Sequence, residues 1–399
     1  MVVASSPRLG EPGSALSATL SAMARRRRAL ARLRPFAVED TSVQLTWGDS
    51  RPGEITATAG DARATVTSPG GPGALSLDGL PADTSVRIDV AHSDGESHRL
   101  VVRTLAPPPG APLSRLVTVS DLHVGSLSFG LARTMRDPSG VDEPFAVRTA
   151  RAALAEALRW GSPDLLVAKG DLTNKGKAAE WDVLNGLLRD VDVPLLACAG
   201  NHDAYPSRDV LPPEGYDVPG TTLADPIAVR DLDGLRVIVA DSVLVGEGEG
   251  TLDHVGTDIL DAAAESDRPV MVCLHHPPDS RYAFHYPPGV PRGQSHGFLD
   301  RLARLRPDAL VTAGHTHRNR RRDHGPLVVT EVSSTKDYPG AWAGYRVHEG
   351  GIRQVVRRTA APEALAWSEY CRLAVGGVWG LYSPGALAHR SFTHPWPTR

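Results

Sequence analysis

The 399-residue chain is predicted to fold as a layered α/β domain preceded by a small all-β sandwich. Three observations carry that prediction. Residues 35–106 alternate apolar and polar side chains with period two, and turn clusters separate the runs. From Leu113 onward, short apolar runs alternate with stretches of helical period. Five of those later runs stop at an aspartate, asparagine or histidine.

At this length two or three domains are expected, and 41% hydrophobic residues suffice to bury their cores. A charged fraction of 22% argues against wholesale disorder. The net charge of −3 gives no global reason to expect nucleic acid or an acidic membrane as partner. Cys198 and Cys273 lie inside apolar runs, and with Cys371 they show no metal-binding spacing, which fits a reducing interior better than a disulfide framework. No run approaches the ~18 apolar residues of a membrane span. Arg25 to Arg28 follow the mildly apolar N-terminal part instead of preceding it, unlike a secretory signal, so a cytoplasmic protein is expected.

Residues 1–34 read as a tail followed by a basic helix from about Ala15, with seven arginines against one glutamate. They are taken as a solvated face without assigned function. In the sandwich, Val43, Leu45 and Trp47 alternate with polar residues, as do Ile55, Ala57 and Ala59, and Val86, Ile88 and Val90. Turns are expected at Asp49–Gly53, Ser68–Gly73 and Ser93–Glu96. Ser42-Val43-Gln44-Leu45-Thr46-Trp47 resembles the tryptophan strand of a fibronectin type III domain, and Leu77-Asp78-Gly79-Leu80-Pro81-Ala82-Asp83-Thr84 resembles its corner. Leu100–Thr104 resembles its last strand, although the tyrosine usual just after the corner is Val86 here. Residues 107–112 then form a stiff proline-rich linker.

In the α/β part (residues 113–358), strands are expected at Leu116–Val119, Leu165–Lys169, Leu195–Ala199, Val237–Ala240, Val270–Leu274 and Ala309–Thr312. Helices are expected at Phe145–Trp160, Ala178–Val191, Ile259–Ser266 and Gly297–Leu305. A strand pair, Leu327–Val332 with Ala343–Val347, is expected to complete the sheet. Residues 359–399 read as a helical, then irregular extension of unknown role.

The chemistry sits where the strands stop. Asp121-Leu122-His123, Gly170-Asp171, Gly200-Asn201-His202-Asp203, His275-His276 and Gly314-His315-Thr316-His317 each follow a predicted strand. Any one of them is a weak signal, since short motifs recur by chance. Five in order, all at the same end of a strand, are not.

That order, with His275-His276-Pro277-Pro278, resembles the calcineurin-like metallophosphoesterase superfamily over roughly Leu113 to Tyr345. The Gly170-Asp171-Leu172-Thr173-Asn174 and Leu274-to-Pro278 forms are most similar to its class III cyclic-nucleotide phosphodiesterase and glycerophosphodiesterase branch. The resemblance implies a metallophosphoesterase-type β-sandwich flanked by helices, behind the fibronectin III-like module. It implies one metal held by Asp121, His123, Asp171 and His317, and a second by Asp171, Asn201, His275 and His315, with Asp171 shared. His275 is chosen over His276 because it matches the family's position before the proline turn. His202 would be the proton donor to the leaving group, and Asp203 a candidate to orient its ring.

Imidazole, carboxylate and amide ligands without thiolate suit Mn, Fe, Zn or Co. Two divalent ions against two carboxylates leave a site of about +2, which attracts a phosphoryl anion. Such a pair can generate a bridging hydroxide at neutral pH for in-line attack. The implied activity is hydrolysis of a small phosphodiester, with a phosphomonoesterase as the alternative and a non-catalytic adaptor as a more distant one. Purple acid phosphatases carry a tyrosine ligand three residues after the shared aspartate; Asn174 stands there, so no tyrosinate colour is expected. Three loops are candidates to shape the pocket: Ser126–Glu143, Ala204–Thr222 and Asp279–Ser295, the last with Arg281, Tyr282, Phe284, His285 and Tyr286. Arg318, Arg320, Arg321 and Arg322 are expected to be mostly solvated.

Overall fold

The computed structural model describes residues 30–130, 133–137, 143–278 and 288–397. The expected basic helix, Arg25 to Arg28 and the cluster from Arg281 to Tyr286 lie outside these residues.

Period-two alternation gives each N-terminal strand one apolar face, and two such faces must be stacked to hide both. Seven strands do this: β1 (Arg34–Val38), β2 (Ser42–Trp47), β3 (Gly53–Ala59), β4 (Ala62–Ser68), β5 (Gly73–Asp78), β6 (Ser85–His92) and β7 (Ser97–Arg103). They form sheets of order β1-β2-β5 and β4-β3-β6-β7. Val43, Leu45, Trp47, Ile55, Ala57, Ile88 and Val90 meet between them. The small unit starts before residue 35, because Leu30–Ala31 already pairs with Asp49–Ser50.

Beyond the sandwich the central strands, such as Leu165–Lys169 and Val270–Leu274, are buried on both faces and need cover on two sides. Strands of four residues or more follow in chain order. They are β8 (Pro112–Val119), β9 (Leu165–Lys169), β10 (Leu195–Cys198), β11 (Ile227–Leu232), β12 (Leu235–Ala240), β13 (Val270–Leu274), β14 (Leu310–Ala313), β15 (Arg320–His324), β16 (Leu327–Glu331), β17 (Ala341–His348), β18 (Gly351–Arg358) and β19 (Ser391–Pro395). Among the described residues they make two sheets. One runs from Thr222–Leu223 through β10-β9-β8-β17-β18-β19, the other β11-β12-β13-β14-β16-β15. Leu116, Leu165 and Val167 of the first face Val237, Met271 and Leu310 of the second across a shared core. Helices α1 (Phe145–Arg159) and α2 (Ala178–Arg189) cover the outer face of the first sheet. Helices α3 (Gly256–Ala264) and α4 (Arg292–Leu305) cover the second.

The expected strand pair at 327–332 and 343–347 is split. β16 joins β14 in one sheet, and β17 joins β8 in the other. The connection between them crosses from sheet to sheet at the end where the chemistry lies. The extension, expected to be helical and then irregular, ends in a strand. After helix α5 (Pro362–Cys371) its last strand, β19, pairs antiparallel with β18.

The small sandwich is fastened to β18 as a strand would be. Gln44 Nε2 donates to the Arg358 carbonyl at 2.8 Å and its Oε1 accepts from the Arg358 amide at 2.9 Å. Beside it, the buried Glu39 takes Arg346 at 2.7 Å and Arg357 at 3.1 Å. Gln44→Ala is expected to lower stability by about 1–3 kcal/mol for each buried peptide group it orphans. Thermal denaturation measures this, and an unchanged Tm would assign the contact no stabilising role.

Candidate metal centre

All five motifs arrive at one edge, the carboxyl ends of the parallel strands. β8, β9 and β10 run parallel in one sheet, and β12, β13, β14 and β16 in the other. Carboxyl ends of parallel strands are where loops can converge on a ligand. Here the two sheets present theirs to each other.

The backbone is bent to make that convergence. Asp121, His123, Asp171, His315 and His317 all sit in the left-handed region, with φ of 54°, 45°, 48°, 67° and 50°. Each such non-glycine residue costs on the order of 1–3 kcal/mol, and such strain clusters at functional sites. Gly170 must remain glycine: its φ is 74°, and a Cβ there would lie 2.5 Å from the His275 ring. A Cβ on Gly200 would collide with the Asp171 amide nitrogen and carboxylate.

Two donor clusters result, and Asp171 belongs to both. Its Oδ2 lies 3.4 Å from His123 Nε2, while its Oδ1 lies 3.3 Å from His275 Nε2. On the first side, His317 Nε2 is 3.2 Å from His123 Nε2 and 3.3 Å from Asp121 Oδ1. Candidate ligand atoms of Asp121, His123, Asp171 and His317 all fall within 4.8 Å of one another. On the second side, His275 Nε2 is 3.2 Å from both Asn201 Oδ1 and His315 Nδ1. Candidate ligand atoms of His275, His276 and His315 fall within 4.8 Å of one another; the His276 ring is 4.6 Å from that of His315, and its Nδ1 meets Ser242 Oγ at 2.9 Å.

The outward ring nitrogens explain why these lone pairs face inward. A carbonyl can only accept, so the nitrogen facing it carries the hydrogen and the other presents its lone pair. His275 Nδ1 donates to the Lys169 carbonyl at 3.0 Å, and His315 Nε2 to the Pro288 carbonyl at 2.9 Å. His317 Nδ1 meets Asp337 Oδ2 at 2.5 Å. Second partners of this kind are what hold an imidazole in its ligating tautomer. The gap between His275 Nε2 and His315 Nδ1 therefore needs either a shared proton or a cation. Burial disfavours charge on His275 and His317, but the neighbouring carboxylates raise them to about 9 and about 10. Protons and metal ions thus compete for the same nitrogens. A nitrogen and oxygen donor set with one carboxylate between its halves fits a pair of transition-metal ions.

His202 stands beside the first cluster, its ring centroid 4.5 Å from that of His123. Its backbone N–H donates to Asp171 Oδ1 at 2.8 Å. The expected orienting role of Asp203 needs correction. The ring is held by the Asn174 carbonyl, 2.8 Å from Nδ1. Asp203 accepts from the amides of Leu172, Thr173 and Gly200 and from the Thr173 hydroxyl at 2.7–3.1 Å, so it ties two motif loops together. Burial and the Asp171 charge push its carboxyl up to about 7, while those donors favour the ionised form.

The arginines after His317 also differ from expectation. Arg318 and Arg322 are buried, with Arg318 Nε 2.7 Å and Arg322 Nη2 3.0 Å from Glu331. Arg320 comes within 4.0 Å of the same carboxylate. Sequence reasoning missed the segment Ser333 to Asp337, although it too follows a strand, β16. Asp337 seats His317, and the Ser334 hydroxyl donates to the Asp121 carbonyl at 2.9 Å. The extension braces this segment: Trp367 Nε1 donates to the Lys336 carbonyl at 2.7 Å and Trp379 Nε1 to the Tyr338 carbonyl at 3.0 Å.

The profile of a family described as calcineurin-like phosphoesterase matches residues 114–319, just over half of the chain. A protein from Synechococcus sp. named as a probable cyclic nucleotide phosphodiesterase is 27% identical over 241 residues, or 58% of this chain and 85% of that protein. A glycerophosphodiester phosphodiesterase, GpdQ, from Enterobacter lignolyticus is 32% identical over 123 residues, or 29% of this chain and 42% of that one. Under half of that relative's length therefore has a counterpart here. A solved structure described as PhoD aligns with a TM-score of 0.41 at 10% identity, covering 82% of this chain and 88% of that one.

Two measurements test the site as built. Asp337→Ala, which removes the seat of His317, is expected to weaken metal binding about 10–100-fold. Calorimetric titration with Mn reads this directly, and unchanged affinity would separate Asp337 from the site. Glu331 gives a pH test. Burial would raise its carboxyl, but Arg322 and Arg318 outweigh it and hold it at about 2, against 4.5 ordinarily. A depressed carboxylate contributes stability that is complete above the ordinary value and drains as pH falls toward the folded one. Between pH 4.5 and about 2, wild type should therefore lose unfolding free energy more steeply than Glu331→Gln.

Proposed function

The chain belongs to the calcineurin-like phosphoesterase family, and from that premise we propose that it hydrolyses a small phosphodiester of the cyclic-nucleotide or glycerophosphodiester kind. Paired sheets between helical layers are the fold of metallophosphoesterases, and the relatives named as phosphodiesterases support a hydrolase. The observation that carries the reading is Asp171, whose two oxygens face two separate donor clusters.

In this reading Asp121, His123, Asp171 and His317 hold one ion, and Asp171, Asn201, His275 and His315 the other, with Mn, Fe or Zn as candidates. When bound, such ions would polarise the phosphoryl oxygens and lower the pKa of an attacking water. His202 supplies the proton to the departing alkoxide. Its Nδ1 hydrogen is committed to the Asn174 carbonyl, so the proton exchanged is the one at Nε2. Asp203 acts through position alone, by holding the Asp171 and Asn201 loops in register.

The N-terminal sandwich is read as a fibronectin III-like module at about 35–106. Its three- and four-stranded sheets, with Trp47 buried on the second strand, support that assignment. Cys198, Cys273 and Cys371, all buried and unpaired, support a cytoplasmic setting.

Mn-loaded protein is expected to turn over bis-p-nitrophenyl phosphate in preference to p-nitrophenyl phosphate; a strong monoester preference would overturn the diesterase reading. His202→Ala should lower kcat by about 10²–10⁴ for a diester with an alkoxide leaving group. The loss should be far smaller for p-nitrophenolate, which departs without protonation. Equal losses would remove His202 from that role.

A further inference from the structure

Among the described residues, one stretch of the extension exposes a run of apolar side chains. Leu373, Val375, Val378, Leu381 and Tyr382 follow one another in the extension and are all exposed, Leu381 at 85% and Val378 at 58%. Exposed apolar side chains grouped within one short segment are a candidate binding surface. The segment is tied to the loop after His317 at its far end. Val375, Gly376 and Gly377 all adopt left-handed φ, of 53°, 64° and 89°, which is a strained state for a β-branched residue. The Asn319 amide donates to the Ser383 carbonyl at 2.8 Å, and the Arg318 guanidinium lies 5.0 Å over the Tyr382 ring. Its inner end reaches the first donor cluster. Trp379 is 6.5 Å from the His317 ring and 5.5 Å from Phe129, which stacks on His317 at 6.4 Å.

The surface thus has two ends of opposite character. At one, Lys336 places its ammonium 5.6 Å over the Phe129 ring, next to a cluster suited to cations and so to a phosphoryl anion. At the other, Val378 and Leu381 offer apolar side chains to water. An anionic phosphodiester carrying one hydrocarbon chain has the same polarity in the same order. We propose that the segment from Leu373 to Tyr382 is a platform for the apolar chain of a single-chain amphiphilic phosphodiester, of the lysophospholipid class, whose head occupies the metal centre. The proposal rests on the diesterase reading and narrows its substrate class. A second copy of the protein would cover the apolar residues but would have no use for the continuity with His317.

The test compares p-nitrophenyl methyl phosphate with p-nitrophenyl octyl phosphate, below the micelle concentration, on Mn-loaded protein. Each buried methylene contributes up to about fourfold, so the octyl-to-methyl ratio of kcat/KM is expected to exceed about tenfold. Leu381→Asp should bring the ratio toward one. A flat series in the wild type, or a ratio that Leu381→Asp does not change, overturns the proposal. Binding gives a readout that needs no turnover. Monomeric dodecylphosphocholine, followed by tryptophan fluorescence, should bind at least about tenfold more tightly than glycerophosphocholine, and Leu381→Asp should remove the difference. If neither ester is hydrolysed but this difference holds, the diesterase reading fails and the platform stands. Equal affinities, or a dimer in sedimentation that Leu381→Asp dissociates, overturn the platform.

Discussion

The structure depends on the Asp171 carboxylate, buried and ringed by imidazoles. A charge removed from water needs compensation nearby, and here it comes from three directions. His275 and His123 face its two oxygens, and the His202 amide donates to one of them. Burial alone would raise its carboxyl, yet His275, His202 and His123 hold it well below the ordinary range. Its two oxygens face the two clusters, Oδ2 toward His123 and Oδ1 toward His275, so this one group links them.

Bringing the side chains to Asp171 takes two sheets, since one sheet's strand ends fan out along a line. β8, β9 and β10 deliver Asp121, Asp171 and Asn201 from one side. β13 and β14 deliver His275, His315 and His317 from the other. The apolar core between the sheets, with Leu116, Val167, Met271 and Leu310, fixes their separation and so the distance between clusters. It also bears the strain of five left-handed ligand-type residues, each of which would relax to an extended conformation in an unpacked chain.

Much of this was legible in the chain. Leu165–Lys169 and Val270–Leu274 are strands with the bounds their apolar runs predict. The five motif segments do meet at one edge. What the sequence could not convey depends on contacts between distant residues. Asp337 reads as a loop aspartate until His317, 20 positions earlier, is found against it. The arginines from Arg318 to Arg322 read as solvated because nothing local announces that Glu331 lies buried among them. Asp203 stands beside His202 in the chain, but its carboxylate turns to peptide N–H groups across the loop, and a carbonyl takes the ring instead. Likewise, β16 and β17 read as a pair because neighbouring strands usually pair, whereas here the chain changes sheets between them.

The Asn174 carbonyl that seats His202 is three residues from Asp171, and Asp203 ties that same turn to the Gly200 amide. The Asp171 carboxylate and the His202 ring therefore belong to one small hydrogen-bonded block. The platform proposed to select a substrate, from Leu373 to Tyr382, belongs to another part of the chain. A fold divided in this way can exchange its clientele by rewriting peripheral segments, while the reacting groups keep the registration that made the reaction possible.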